Sequence, residues 1–212
     1  MIGIIDVVDR LVVQHGEPGP PPAPDPFHQI VWINCAYLVS DDRRRQCFVN
    51  LMEEVGLEPS DLEEAGIEGI AAAISSGGKS HMRQAEKLFT SAMIALENDN
   101  QLLSARILKT FPGVSSEVAA VILTAAGEFV GLPLESNGLK ILGRLGFGTI
   151  AGNYAKDLRA VKADLHDLPE DASWAWRAHT VLRTHGRQIC KNSAPLCDAC
   201  TLEDACIKRG LA

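Results

Sequence analysis

Apolar residues recur along this chain at spacings of three and four, and no period-two alternation of any length interrupts them. Helices are therefore expected throughout. The apolar segment 4–13, with Asp6, Asp9 and Arg10 interspersed at helical spacing, predicts a first helix. Residues 16–26, Gly-Glu-Pro-Gly-Pro-Pro-Pro-Ala-Pro-Asp-Pro, cannot continue it, because prolines lack an amide donor and fix the backbone; they read as a linker. Short helices are then predicted over 27–38, 43–55, 60–64, 67–75, 81–96, 101–110 and 116–126, and a further set over 138–145, 154–167 and 172–187. Capping residues support several starts, among them Ser60-Asp61 after Pro59, and Asp99-Asn100. Trp174, Trp176 and His179 fall at helical spacing and are expected in the core. Beyond the proline linker there is no internal repeat and no low-complexity tract.

Composition adds bounds. At 212 residues, 46% hydrophobic and 22% charged, the chain is long enough for one large domain or two small ones sharing a core. Aromatics are only 5% while Ala and Leu abound, which again favours helix over strand. No run of eighteen apolar residues occurs, and Met1-Ile2-Gly3-Ile4-Ile5-Asp6 lacks the basic start and apolar centre of a signal peptide. A cytoplasmic location, no membrane partner and a monomer are the expectations.

The net charge of −7 argues at face value against a polyanionic partner. Its distribution weakens that argument. Residues 1–155 carry 11 basic against 19 acidic side chains, a balance of −8, whereas residues 156–212 carry 9 against 8, a balance of +1. Residues 46–78 alone hold Glu53, Glu54, Glu58, Asp61, Glu63, Glu64 and Glu68 with no Lys or Arg, which equals the whole net charge.

Six cysteines are unevenly spread. Cys35 and Cys47 lie in helical, apolar context and read as buried, inert thiols. Cys190, Cys197, Cys200 and Cys206 crowd into the last 23 residues as Cys-x6-Cys-x2-Cys-x5-Cys. Without a secretory signal, metal ligation is a better reading than disulfides. By softness alone, tetrahedral zinc and an iron–sulfur cluster both suit four thiolates. A Pro-Gly turn between two predicted helices, Phe111-Pro112-Gly113-Val114-Ser115, lies some eighty residues upstream. The new helix's first amides lack intrahelical partners there and suit a phosphate oxygen.

The tail, with His185-Gly186-Arg187 ahead of Cys190 and Pro195 and Glu203-Asp204 among the later cysteines, resembles the C-terminal iron–sulfur loop of the endonuclease III family of base-excision DNA glycosylases. The Pro-Gly turn resembles that superfamily's helix-hairpin-helix, and the two motifs stand in the family's order. The resemblance covers roughly residues 25–208 and implies an all-α fold of two lobes. A helical barrel over 27–132 would contain the hairpin; residues 1–15 would pack with a cluster lobe over 133–212; a flipped nucleotide would enter the cleft between them. It further implies a [4Fe-4S] cluster on Cys190, Cys197, Cys200 and Cys206, structural and DNA-orienting in role, and duplex DNA with a damaged or mispaired base as partner. Four thiolates on a core of +2 change the local charge by about −2, so DNA contacts beside it would fall to Arg187, Lys191, Lys208 and Arg209. Only Lys191 stands between the first two cysteines, where family members often have several basic residues, which predicts a weaker phosphate grip.

At the hairpin, Gly113, Val114 and Ser115 are the implied backbone contacts, with Ser115 where the family has a second glycine. Glu117 stands where bifunctional members carry a nucleophilic lysine. A carboxylate cannot form a Schiff base with the sugar, so lyase chemistry through this position is excluded; a carboxylate in the first turn is also simply favoured by the helix dipole. Downstream, Leu132-Pro133-Leu134-Glu135-Ser136-Asn137 and the helix ending in Arg144 align with the segment that carries the family's catalytic Asp, and the Asn two places on is nearest the adenine-glycosylase branch. Glu135 is thus the candidate catalytic carboxylate, unless it merely caps the following helix or is solvated. Its extra methylene would move the charge by about 1.5 Å, and misplacement of about 1 Å can cost on the order of a hundredfold. Near the N-terminus, Tyr37 and Leu38 fall where the family has a wedge into the gap left by the flipped base. Their expected place is nonetheless the core. Arg43-Arg44-Arg45 and the 77–83 loop are candidate backbone contacts, and the latter lacks the upstream glycine of a P-loop. The chemistry implied is that of a monofunctional glycosylase, with a DNA- or lesion-binding relative without catalysis as the alternative.

Overall fold

A computed structural model describes residues 2–98 and 104–208. Among these residues the secondary structure is helical, with no strand, and no helix is long and apolar enough to cross a membrane. The chain divides into two compact units, residues 21–128 and residues 1–20 with 129–212. Each has its own apolar core.

The first unit in chain order contains α2 (Pro26–Asn34), α3 (Asp41–Glu54), α4 (Pro59–Ala73), α5 (His81–Glu97), α6 (Ala105–Leu108) and α7 (Ser116–Ala125). Asp25 starts α2 by accepting the amides of Phe27 and His28 at 2.9 and 3.0 Å, ahead of a proline whose missing donor costs nothing there. The helix buries Phe27, Ile30 and Val31 against α5 and α7 and stops at Asn34, short of the predicted end at 38. Leu38 turns to φ +54° and Ser40 caps α3, so residues 35–40 form a loop. The two helices expected over 60–64 and 67–75 run together as α4, kinked where Gly66 takes φ +64°. Of the helix expected over 101–110, residues 101–103 and the Asp99-Asn100 cap lie outside the described residues, and the remainder contains only the single turn of α6.

The second unit is built from α1 (Ile4–His15), α8 (Ser136–Leu145), α9 (Tyr154–Ala163), α10 (Ala172–Gln188) and the cysteine-bearing tail. Ile4, Val7, Val8 and Leu11 form the buried stripe of α1, which lies along α10; α8 packs between α10 and α9. α9 ends at Ala163 instead of 167, where Asp164 turns its carboxylate to the amide of Gly148 at 2.9 Å. Trp174 and Trp176 are only half-buried, contrary to expectation, because they fall beside the buried stripe of Ala175, Ala178 and Leu182; His179 is buried. Trp176 instead donates its indole N–H to the carbonyl of Gly19, and Arg177 pairs with Glu17, so α10 pins the first part of the proline linker.

Removing the α2 cap leaves two amides of the first turn without a partner. Asp25→Ala is expected to lower unfolding free energy by about 1 kcal/mol, read as a lower urea midpoint at unchanged slope.

Candidate functional site

The four tail cysteines line one cavity together with Arg144 and Lys208. Burial, opposed by the amide of Leu202 and reinforced by the other three sulfurs, holds the Cys200 thiol above its ordinary range, so the four sulfurs share one electrostatic environment. Arg144, 8% exposed, donates to the Cys190 sulfur at 3.1 Å and to the Lys191 carbonyl at 2.8 Å. The Cys206 thiol faces the Arg144 carbonyl at 3.4 Å. No carboxylate pairs with Arg144 among the described residues. A buried cation facing sulfurs and carbonyls is compensated best when those sulfurs carry net negative charge, as thiolate ligands do.

No group of three or more Cys, His, Asp or Glu among the described residues is placed to hold a single ion. Cys190, Cys197, Cys200 and Cys206, with the Arg144 guanidinium behind them, are the residues that could hold a thiolate-bound metal group. Arg187, near the end of α10, and Lys191, just after Cys190, are exposed; Lys208, in the cavity lining, is engaged by Glu203 at 3.0 Å, which raises the lysine above its ordinary range. Arg209 lies outside the described residues.

Glu135 occupies the residue before α8, yet its side chain does not cap the helix. It accepts from the Asn137 amide at 3.0 Å and faces Nε of Arg183, on α10, at 3.7 Å. Asn137 in turn accepts from Lys140 at 3.3 Å, and Lys140 also donates to the Gly186 carbonyl at 3.1 Å. Burial lowers Lys140 below its ordinary range, with Arg144 acting in the same sense and Cys190 and Glu135 opposing. The carboxylate is therefore held from two helices, with a third of its side chain open to solvent. Arg183 gave no signal in the sequence; it reaches Glu135 only because α10 folds back along α8.

In the hairpin, Gly113 takes φ +77°, and Ser115 caps α7 by accepting the Val118 amide at 3.3 Å. Gly113 and Ser115 are exposed; Val114 is buried and its amide donates to the Phe111 carbonyl. Buried Asn34 donates to the Pro112 carbonyl at 3.3 Å, and a Cβ on Gly113 would stand 3.8 Å from the Lys87 ammonium. Lys87, on α5, is a cation at the hairpin apex that spacing along the chain did not reveal. Glu117 lies in the first turn of α7.

Tyr37 and Leu38 are 52% and 85% exposed, so the expectation that they belong to the core is corrected: α2 ends before them and the loop carries them outward. The Gly77-Gly78 pair serves this loop. A Cβ on Gly77 would meet the Cys35 carbonyl at 2.7 Å, and the Tyr37 amide donates to the Gly77 carbonyl at 3.2 Å. Cys35 and Cys47 are fully buried, and burial pushes Cys35 up to about 12, an inert thiol at physiological pH.

The described residues thus combine an all-helical fold, a Pro-Gly turn between two helices, a carboxylate met by Asn137 and Arg183, and a four-cysteine tail. No family-level sequence model matches the chain. It is 27% identical over 171 residues to endonuclease III of Sulfolobus acidocaldarius, covering 75% of this chain and 71% of that one. It is 25% identical over 157 residues to endonuclease III of Rickettsia conorii, covering 70% and 68%. Among solved structures, a non-covalent endonuclease III–DNA complex superposes with a TM-score of 0.79 at 18% identity, over 98% of this chain and 97% of that one. A thermostable thymine-DNA glycosylase superposes with a TM-score of 0.77 at 15% identity, over 96% and 94%. The chain is endonuclease III-like.

Gly186 faces Asn137 so closely that an added Cβ would lie 2.6 Å from the Asn137 Cβ. Gly186→Ala must push Asn137 away from Glu135. It is expected to cost roughly 1–3 kcal/mol of stability by overpacking, measured as a lowered thermal midpoint.

Proposed function

We propose that this chain is a monofunctional DNA glycosylase of base-excision repair, acting in the cytoplasm as a monomer on duplex DNA with a damaged or mispaired base. The observation that carries the reading is Glu135, a carboxylate held at the head of α8 by Asn137 and Arg183 in a chain with the endonuclease III fold. Cleavage of a glycosidic bond leaves positive charge on the sugar, and a fixed carboxylate stabilises it while orienting water for attack. Arg183 and Asn137 restrict the longer glutamate arm, which offsets the added freedom of its extra methylene. The carboxylate at position 117 excludes a Schiff base there, so water is the nucleophile.

Cys190, Cys197, Cys200 and Cys206 would hold a [4Fe-4S] cluster. When bound, that group supplies a rigid, redox-capable knot of net negative charge. Arg144 answers that charge from within, and Arg187 and Lys191, exposed on the chain either side of Cys190, are the candidate phosphate contacts. At the hairpin, the exposed residues Gly113 and Ser115 and the start of α7 present backbone to phosphate, with Lys87 as the nearby cation; the amide expected from Val114 is instead taken by the Phe111 carbonyl. Tyr37 and Leu38, exposed at a loop held by Gly77, have the apolar character of a wedge for the gap beside a flipped base.

A second reading, a lesion-binding relative without catalysis, is favoured by one observation: the candidate acid is already engaged by a guanidinium and an amide. A panel of damaged and mispaired duplexes separates the two. Wild-type protein is expected to release a base, and Glu135→Gln to slow release on the order of a hundredfold or more while keeping duplex affinity. Release unaffected by Glu135→Gln overturns the assignment of the acid; wild-type binding without release supports the second reading. Anaerobically purified protein is expected to carry about four irons per chain with visible absorbance, and a colourless zinc protein overturns the cluster.

A further inference from the structure

The N-terminal helix makes contacts that neither the carboxylate nor the hairpin needs. Gln14 donates to the Ala199 carbonyl at 2.6 Å and accepts from Thr201, and Arg10 pairs with Asp204 at 2.7 Å. The tail segment that bears Cys200 is thereby fixed to α1. His15, the last residue of α1, then places Nε2 3.0 Å from Nδ1 of His185, with the rings edge to face at 5.3 Å. Nε2 of His185 lies 3.4 Å from the Cys200 sulfur, and Gln188 hydrogen-bonds the His15 side chain.

The direction of this relay is set at its sulfur end. A thiolate bound to iron only accepts, so Nε2 of His185 must carry a hydrogen. In the tautomer whose hydrogen is on Nε2, Nδ1 carries none and accepts, and Nδ1 is the nitrogen that faces Nε2 of His15. Nε2 of His15 is then the donor. An N–H···S bond draws charge from a ligand sulfur and favours the more negatively charged, reduced state of the group it holds.

We propose that His15 is a positioning residue for the Cys200 ligand: it fixes the His185 ring in the tautomer that donates to the Cys200 sulfur, so that α1 tunes the iron–sulfur group through one ligand. The inference rests on the cysteine reading above.

The test uses the full chain with its iron. His15→Phe keeps the ring volume and removes the donor, while His15→Gln retains an amide donor. His15→Phe is expected to shift the midpoint potential to more negative values, with iron lost to a chelator about five-fold faster, the effect of one hydrogen bond, and His15→Gln to restore most of both. Folded, iron-loaded His15→Phe with wild-type potential and iron retention overturns the proposal. If His15→Phe does not fold, nitrogen NMR of the wild-type imidazoles decides: a hydrogen on Nε2 of His185 is expected, and a hydrogen on Nδ1 overturns it. Iron-free wild type instead overturns the cluster reading itself, and the inference with it.

Discussion

A single buried guanidinium constrains the second unit. Arg144 sits at the end of α8, and its N–H groups reach the Cys190 sulfur and the carbonyls of residues 190–192. A cation left in that position without anionic compensation would cost several kcal/mol, so the tail must supply acceptors wherever α8 goes. Glu135 stands at the other end of the same helix, about 13.5 Å away at 1.5 Å per residue. The helix therefore works as a fixed spacer. It joins the carboxylate to the cysteine loop, and Lys140 fastens its middle to α10 through the Gly186 carbonyl.

The charge of the chain looks different once it is placed on the fold. Six of the seven acids in residues 46–78 are exposed, and the seventh, Asp61, accepts from the amide of Glu58. They lie on α3, on α4 and just ahead of it, and so tell nothing of the surface around the hairpin apex, where Lys87 stands. A net charge of −7 is a statement about solubility and long-range steering, and a short-range phosphate contact is decided by the few cations at the point of contact.

Much of this was legible in the sequence because it is written locally. The stripe of α1, the break at Gly66 and the stop at Gly113 all depend on residues within a turn of one another. The cysteine spacing is local too. The features that escaped depend on distant partners. Tyr37 and Leu38 look like a continuation of α2 by apolarity, and only the backbone approach of Gly77 to Cys35, over forty positions away, shows why a loop forms there. Arg183 reaching Glu135, Lys87 reaching Gly113 and His15 reaching His185 are side-chain meetings across long separations, and one-dimensional periodicity carries no term for them. The two tryptophans of α10 depart from expectation for a subtler reason: helical spacing puts residues on a face, and they stand at its edge, where Trp176 meets the linker at Gly19 and Trp174 packs only in part on the core.

Two glutamates stand where the resemblance places other residues, and their consequences differ. At 117 the exchange removes the amine that the resemblance places there, so no Schiff base can form through that position. At 135 the carboxylate itself is kept, on a longer arm that Asn137 and Arg183 meet. Asn137 and Arg183 approach it from α8 and α10, which fixes one oxygen and leaves a third of the side chain open to solvent. An acid held in this way loses little entropy when a charged transition state forms beside it, because its orientation is set in advance. The same anchoring would be superfluous for a side chain whose only task was to cap α8, a task Glu135 does not perform.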